Sequence, residues 1–161
     1  MKPVIFAFLL SASLSLGGDL ISFQKLPTSD SIHVMFTSTG CFHSVTYEFV
    51  FQRGTTMTAK ITQIEHRWNE TQKRQEEAKR IVLGTVKLSE IEISGLDNLF
   101  TFYRSKSPGE CTTVDSITVT QKNGDTAKAT ESFTDETGET YDRKDLMLFP
   151  SIAAKLNPKT K

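Results

Sequence analysis

From Val45 to Phe51 the side chains alternate, with Val45, Tyr47, Phe49 and Phe51 on one parity and Thr46, Glu48 and Gln52 on the other. Successive side chains of a strand point to opposite faces, so this pattern describes a half-buried strand. Gln52-Arg53-Gly54 follows, and then Met57, Ala59 and Ile61 alternate with threonines and Lys60. A hairpin is expected, and its loop length decides which faces meet. A two-residue loop at Arg53-Gly54 sets Phe49 opposite Thr58, mixing apolar with polar. A three-residue loop, Gln52 to Gly54, instead pairs Phe49 with Met57, Tyr47 with Ala59 and Val45 with Ile61. The second keeps the apolar residues on a common face, because a one-residue slip flips every side chain. It also sets Gly54 at the third loop position, where a left-handed backbone favours glycine.

The arithmetic recurs near the other end of the chain. Ile117 and Val119 alternate with Thr118 and Thr120, the turn reads Lys122-Asn123-Gly124, and Ala127, Ala129 and Phe133 follow. A two-residue loop would set Val119 against Lys128. A three-residue loop, Lys122 to Gly124, sets Val119 against Ala127 and Ile117 against Ala129, with Gly124 at positive φ. That register also opposes Asp115 and Glu131, a like-charge pair that is mildly destabilising.

Other elements follow from local pattern. Ile32, Val34 and Phe36 alternate with His33 and Met35 in an early strand, and Arg80 to Leu88 is a β-branched strand returning from one that ends near Trp68. A helix is expected from near Ser89, where Ser89 with Glu92, or Ser94 with Asp97, forms a capping box and Leu96, Leu99, Phe100 and Tyr103 share one face. Arg104 and Lys106 suit its C-terminal end, and Ser107-Pro108-Gly109 stops it. Leu146 to Leu156 is helical in pattern but interrupted at Pro150. The order predicts an α+β fold: an antiparallel sheet built from hairpins, with one main helix and a short C-terminal helix packed on one face.

The first seventeen residues bear on compartment. Lys2 is a positive n-region, Val4 to Leu10 an unbroken apolar h-region, and Ser11 to Gly17 a run of small residues alternating with leucine, the pattern of an export signal at 1–17. Serines break the apolar run well short of the roughly 18 residues a membrane span wants, so no membrane anchor is expected after the signal is removed. Residues 18–161 are then a single domain of about 144 residues, secreted or periplasmic. Setting Lys2 aside leaves 18 basic against 19 acidic residues, a net charge of −1. That balance excludes the basic footprint of a nucleic-acid binder. In the densest charge run, Glu65 to Arg80, the signs nearly cancel around Trp68, as on a solvated loop or an exposed hairpin end.

An exported chain with two cysteines, Cys41 and Cys111, reads first as one disulfide. Closing a loop of about 70 residues contributes roughly 4 kcal/mol in the chain-entropy model, and the bond would tie the two hairpins together at one end of the sheet. The competing reading is a hydrolase with Cys41 as nucleophile and His43 or His66 as base, suggested by Gly40-Cys41-Phe42-His43; the third, orienting group of such a site has no local signature.

The remaining motifs are weak. His33, His43 and His66 lack the close pairing of a metal site. Asp135, Glu136, Glu139 and Asp142 crowd around Gly138 and offer oxygen ligands for calcium at 135–142, without the D-x-D-x-D-G order of a recognised loop. Asn69-Glu70-Thr71 has the form of an N-glycosylation acceptor. G-x-S-x-G, H-E-x-x-H and phosphate-cradling glycine motifs do not occur in the sequence, so no cofactor is implied.

Gly40-Cys41-Phe42, the Tyr47 strand with its glycine turn, the helix through Leu96 and Leu99, and Thr113-Val114-Asp115-Ser116 before a strand together resemble a group of small exported bacterial domains of uncharacterised function. The resemblance covers residues 32–135. Those domains often carry a second cysteine and a proline shortly after the first cysteine, where Val45 and Thr46 stand here. It implies a fold type and an exported compartment. Taken together, the sequence is expected to encode a non-catalytic binding module for an unknown protein or cell-envelope partner.

Overall fold

The apolar parity of each expected strand becomes one face of a single sheet. The computed structural model describes residues 20–105 and 109–156. The expected signal at 1–17 lies outside the described residues, as do Lys106, Ser107 and Pro108. Six strands are β1 (Asp30–Gly40), β2 (His43–Arg53), β3 (Met57–Asn69), β4 (Arg74–Lys87), β5 (Val114–Asn123) and β6 (Thr126–Asp135). Helix α1 (Glu90–Ser105) lies between β4 and β5, and a 3-10 turn (Glu139–Asp142) and α2 (Phe149–Ala154) follow β6. The sheet order is β4-β3-β2-β1-β5-β6, and every neighbouring pair is antiparallel. The expected α+β class holds in this form, with a small helical share.

The topology explains where α1 lies. It returns the chain from the edge strand β4 to β5, four strand spacings away, which is about 19 Å. Its 16 residues span about 24 Å, enough to make that crossing over one face. The expected capping box forms at its start: Glu92 N–H donates to Ser89 Oγ at 3.3 Å, and Ser89 N–H donates to Glu92 Oε2 at 2.8 Å. Ile93, Leu96, Leu99, Phe100 and Tyr103 are its buried stripe. Phe100 meets Phe149 of α2 at 6.4 Å between ring centroids, and Phe149 reaches Phe36 at 5.7 Å and Phe49 at 5.3 Å. Both helices therefore sit on the face that carries the apolar parities of β1 and β2. Phe23, on the segment before β1, closes the core against Phe51 at 4.8 Å and Phe100 at 5.1 Å. Each such aromatic pair is worth about 0.5–1.5 kcal/mol beyond the area it buries.

Both hairpin registers differ from expectation. β2 and β3 pair Phe49 with Ile61, Phe51 with Ala59 and Arg53 with Met57, so the loop is Gly54 to Thr56 rather than Gln52 to Gly54. Gly54 is absent from the positive-φ glycines, which are Gly84, Gly124 and Gly138. β5 and β6 pair Ile117 with Phe133, Val119 with Glu131 and Asn123 with Thr126, a two-residue loop of Gly124 and Asp125. Gly124 does take φ 56°. The apolar faces still meet in the first hairpin because the displacement from the expected register is four residues, an even number. Alternation has period two, so it separates odd slips from even ones and cannot choose between registers two or four residues apart. In the second hairpin the shift also sets Phe133, in place of the small Ala129, against Ile117.

Pro150 does not interrupt a helix; α2 starts at Phe149 with the proline in its first turn, where a missing N–H leaves no bond unmade. The strand read as Arg80 to Leu88 begins at Arg74, and β3 with β4 forms a long hairpin whose outer part runs past the end of β2. At its tip Asn69 Oδ1 accepts from Thr71 N–H and Gln72 N–H, both at 3.0 Å, and Asn69 Nδ2 donates to Glu76 Oε2 at 2.7 Å. The asparagine of the N-glycosylation motif thus holds the turn with its side chain.

Candidate functional site

Antiparallel pairing collects the chemistry of this chain at one end of the sheet. The C-terminal end of β1 pairs with the start of β2 at Gly40 and His43, and with the start of β5 at Thr39 and Val114. The start of β5 in turn pairs Asp115 with Asp135 at the end of β6. Cys41 and Phe42 form the β1–β2 turn, and Cys111 lies three residues before β5. A shallow groove of about 290 Å³, lined by Ser44, Val45 and Gln63 to His66, brings His66 to the same end. His33 is elsewhere: it stands mid-sheet with Nε2 3.1 Å from Ser31 Oγ, and burial pulls its pKa down, helped by Lys122.

The centre of this end is a buried polar cluster on the core face. Asp115, Asp135, Ser38, Thr140 and Tyr103 of α1 are all buried. Asp115 shares the parity of Ile117 and Val119, so its carboxylate points inward with theirs. Tyr141 Oη donates to Asp115 Oδ2 at 3.2 Å, while Asp115 Oδ1 is buried with no hydrogen-bond partner. Burial pushes the Asp115 carboxyl up; the neighbouring Ser38 and Tyr141 hydroxyls oppose this, and Asp135 adds to it. Asp135 Oδ1 accepts from Thr137 N–H at 3.0 Å and Thr137 Oγ1 at 2.7 Å, and its Oδ2 accepts from Thr140 Oγ1 at 3.2 Å. The Tyr103 phenol is driven far above its usual range by burial first and then by Asp115, Asp135 and Tyr141. Tyr103 and Tyr141 therefore stay neutral beside the two carboxyls, with Tyr141 donating to Asp115.

Around this cluster stand the residues singled out from the sequence. His43 Nε2 lies 3.2 Å from Ser38 Oγ, and its ring folds across Gly40, so it is turned inward to the serine. A hydrolase built on Cys41 would need that ring turned instead toward the thiol. Cys41 and Cys111 are both free and exposed, and the disulfide expected between them is not formed in this structure. The Cys111 thiol has a different neighbour. Cys41 turns into β2, whereas Cys111 N–H donates to Glu136 O at 2.6 Å and its thiol lies close to Gly138.

The acidic loop divides. Asp135 points into the core while Glu139 and Asp142 are exposed, and among the described residues no group of three or more His, Cys, Asp or Glu side chains is placed to hold a metal ion. The calcium arrangement considered at 135–142 does not assemble, because the one inward carboxylate is already bonded to Thr137 and Thr140.

A groove of about 850 Å³ lies between the segment before β1, α1, β5 and β6. Most of its charged side chains are already bonded within the fold. Asp97 accepts from Ser22 Oγ at 2.8 Å, Phe23 N–H at 2.7 Å and Gln24 N–H at 3.0 Å. Arg104 donates to Glu131 through Nε at 2.7 Å and Nη2 at 2.6 Å, and Nη2 also donates to Ile21 O at 2.9 Å. Lys128, the extra residue of a bulge in β6, donates to both oxygens of Asp30, at 3.0 and 2.8 Å. Lys128 first, then Asn123 and Gln121, hold the Asp30 carboxyl far below the usual carboxylate range. These bonds fasten residues 21–30 over the core.

Asp97, Arg104, Asp115, Glu131 and Asp135 stand in sequence patterns that gave them other roles, and Asp30 and Ser38 in none. One signal for four of them is parity: Asp30 and Ser38 share the apolar parity of Ile32, Val34 and Phe36, Asp115 that of Ile117, and Asp135 that of Phe133. A polar residue on a core-facing parity must find a partner inside.

No protein-family model matches the chain, and neither curated proteins nor solved structures give a significant match. No helix among the described residues is long and apolar enough to cross a membrane.

Proposed function

We propose that this chain is an exported, non-catalytic binding domain that meets a protein or cell-envelope component through the end carrying the β1–β2 turn. The observation that carries this reading is Phe42, which is fully exposed at the tip of that turn. An aromatic side chain left in water forgoes roughly 1.5–3 kcal/mol of burial, and aromatic anchors of this kind dominate binding surfaces. Tyr141, more than half exposed, stands at the same end with its hydroxyl anchored on Asp115. The buried polar cluster beneath supports the reading by holding these loops in place: Asp135 ties Thr137 and Thr140, and Asp115 ties Tyr141. The export signal expected at 1–17 and the resemblance to small exported bacterial domains agree with that compartment.

The test is site-specific photo-crosslinking in the exported fraction, with the probe at position 42 or, for comparison, at Val82 on the edge strand β4, which is also exposed. An adduct at position 42, absent at 82 and suppressed by excess wild-type chain but not by Phe42→Ala, is expected. Equal labelling at both positions, or equal competition by Phe42→Ala, would overturn the reading.

A further inference from the structure

We propose that Asn123 is a site of spontaneous deamidation, and that the hydrogen bond from its carboxamide to the buried Asp30 carboxylate sets how fast the reaction runs. The site lies at the end of the sheet opposite the Phe42 turn and does not depend on the binding role proposed above.

The sequence supplies the reactive unit. Of the four asparagines, Asn69, Asn98 and Asn157 precede Glu70, Leu99 and Pro158, and only Asn123 precedes a glycine. Deamidation begins when the peptide nitrogen of the following residue reaches the carboxamide carbon. A side chain on that residue obstructs the approach, a proline has no N–H to give up, and glycine leaves the path open. The fold adds access to water. Asn123, Gly124 and Asp125 are all exposed, and nothing lies within 4 Å of the place a Gly124 Cβ would take.

The same fold holds the carboxamide back. Asn123 faces Asp30 at the last pair of the β1–β5 ladder and Thr126 across the β5–β6 turn, so it is paired on both sides. Its Nδ2 donates to Asp30 Oδ1 at 2.8 Å and to Ser29 O at 3.5 Å. Both acceptors stand at the start of the neighbouring strand, so the carboxamide reaches across the sheet rather than back over Gly124. To react, it must release Asp30. That bond has an ionised acceptor, which makes it one of the stronger kind. Asp30 cannot follow the carboxamide as it turns, because Gln121 bonds Oδ2 at 2.8 Å and Lys128 bonds both oxygens.

The reaction balances with water as the only co-reactant. Hydroxide takes the Gly124 N–H proton, and the nitrogen electron pair forms a bond to Asn123 Cγ. The Cγ–Nδ2 bond then breaks, and Nδ2 leaves with a proton from water as ammonia. Water opens the resulting succinimide at one carbonyl or the other. One opening leaves aspartate at 123, and the other leaves isoaspartate, whose main chain runs through the former side chain. In both products the donor that met Asp30 has become a carboxylate, so two like charges stand opposite each other at the end of the ladder. Deamidation therefore loosens the Asp30 end of the segment fastened over the core.

The experiment incubates the folded full chain at mildly alkaline pH, beside the same chain unfolded in guanidinium. Intact mass and peptide mapping that separates aspartate from isoaspartate follow the reaction. Expected is conversion at Asn123 that is several-fold slower in the folded chain than in the unfolded one. Asp30→Asn, which offers only a neutral acceptor, should react several-fold faster than folded wild type, and Asp30→Ala faster still; where Asp30→Ala does not fold, Asp30→Asn decides. Ile93→Val, a core truncation on α1 away from this site, should leave the folded rate unchanged. Equal rates in the folded and unfolded wild-type chain, an Asp30→Asn rate no faster than wild type, an equal acceleration by Ile93→Val, or an unfolded chain that deamidates elsewhere and not at Asn123 would each overturn the proposal.

Discussion

Asp115 faces Asp135 across the β5–β6 ladder, and the two buried carboxyls are satisfied very differently. Asp135 has both oxygens hydrogen-bonded by Thr137 and Thr140, whereas Asp115 leaves Oδ1 without a partner and has its other oxygen on Tyr141. A buried charged acceptor that lacks a donor destabilises the fold, so the protonated form of Asp115 is favoured inside. The like-charge opposition expected for Asp115 is therefore present, with Asp135 in place of Glu131, and protonation is what relieves it.

Stability should accordingly fall with rising pH through this group. A carboxyl raised in the folded state binds its proton more tightly there than in the unfolded chain, where it titrates near pH 4. The contribution of Asp115 is complete below that value and is lost as pH climbs toward the folded one. Asp115→Asn should flatten this part of the profile and leave the protein at least as stable as wild type at pH 7. Urea midpoints measured from about pH 4 to pH 7 check it; a variant that follows the wild-type slope would count against it.

Asp30 should behave with the opposite sign. Its carboxyl is lowered by Lys128, Asn123 and Gln121, so its stabilising contribution is present above about pH 4 and is lost as pH falls further. Lys128→Met should lower stability at pH 7, and the gap between variant and wild type should close as acid protonates Asp30. Denaturation curves at pH 7 and at about pH 2 would show the gap narrow.

The two turn glycines should separate cleanly on substitution. Gly124 sits at φ 56° with no atom within 4 Å of its would-be Cβ, so Gly124→Val should lose more than about 1 kcal/mol from backbone strain alone. Gly54 is not at positive φ, and its Cβ would meet only Thr56 O at 3.8 Å. Gly54→Ala should be neutral or stabilise by about 0.4–1 kcal/mol through the unfolded chain. Thermal midpoints of the two variants give the comparison directly.

Much of the fold was legible because the signals are local. The alternation from Val45 to Phe51 marked β2 and its buried face, Ile117 and Val119 marked β5, and the Ser89–Glu92 box marked the start of α1. The candidate site was legible only as scattered residues. Cys41, His43 and Cys111 could be named, but nothing local says that Ser38 receives His43 or that Tyr141, twenty-six positions along, receives Asp115.

Side-chain parity, helix capping and the positive φ at Gly124 were determined by the sequence alone, since each depends on neighbours within a few residues. The tertiary structure decided what parity leaves degenerate. It chose the four-residue shift that sets Phe49 on Ile61 and Phe133 on Ile117, because the packing of the core belongs to the whole sheet. It also decided which polar residues on core-facing parities found partners. Asp30 met Lys128 through a bulge in β6, while Asp115 met Tyr141 and kept one bare oxygen, because those partners arrive from segments that only the folded sheet brings to the same end.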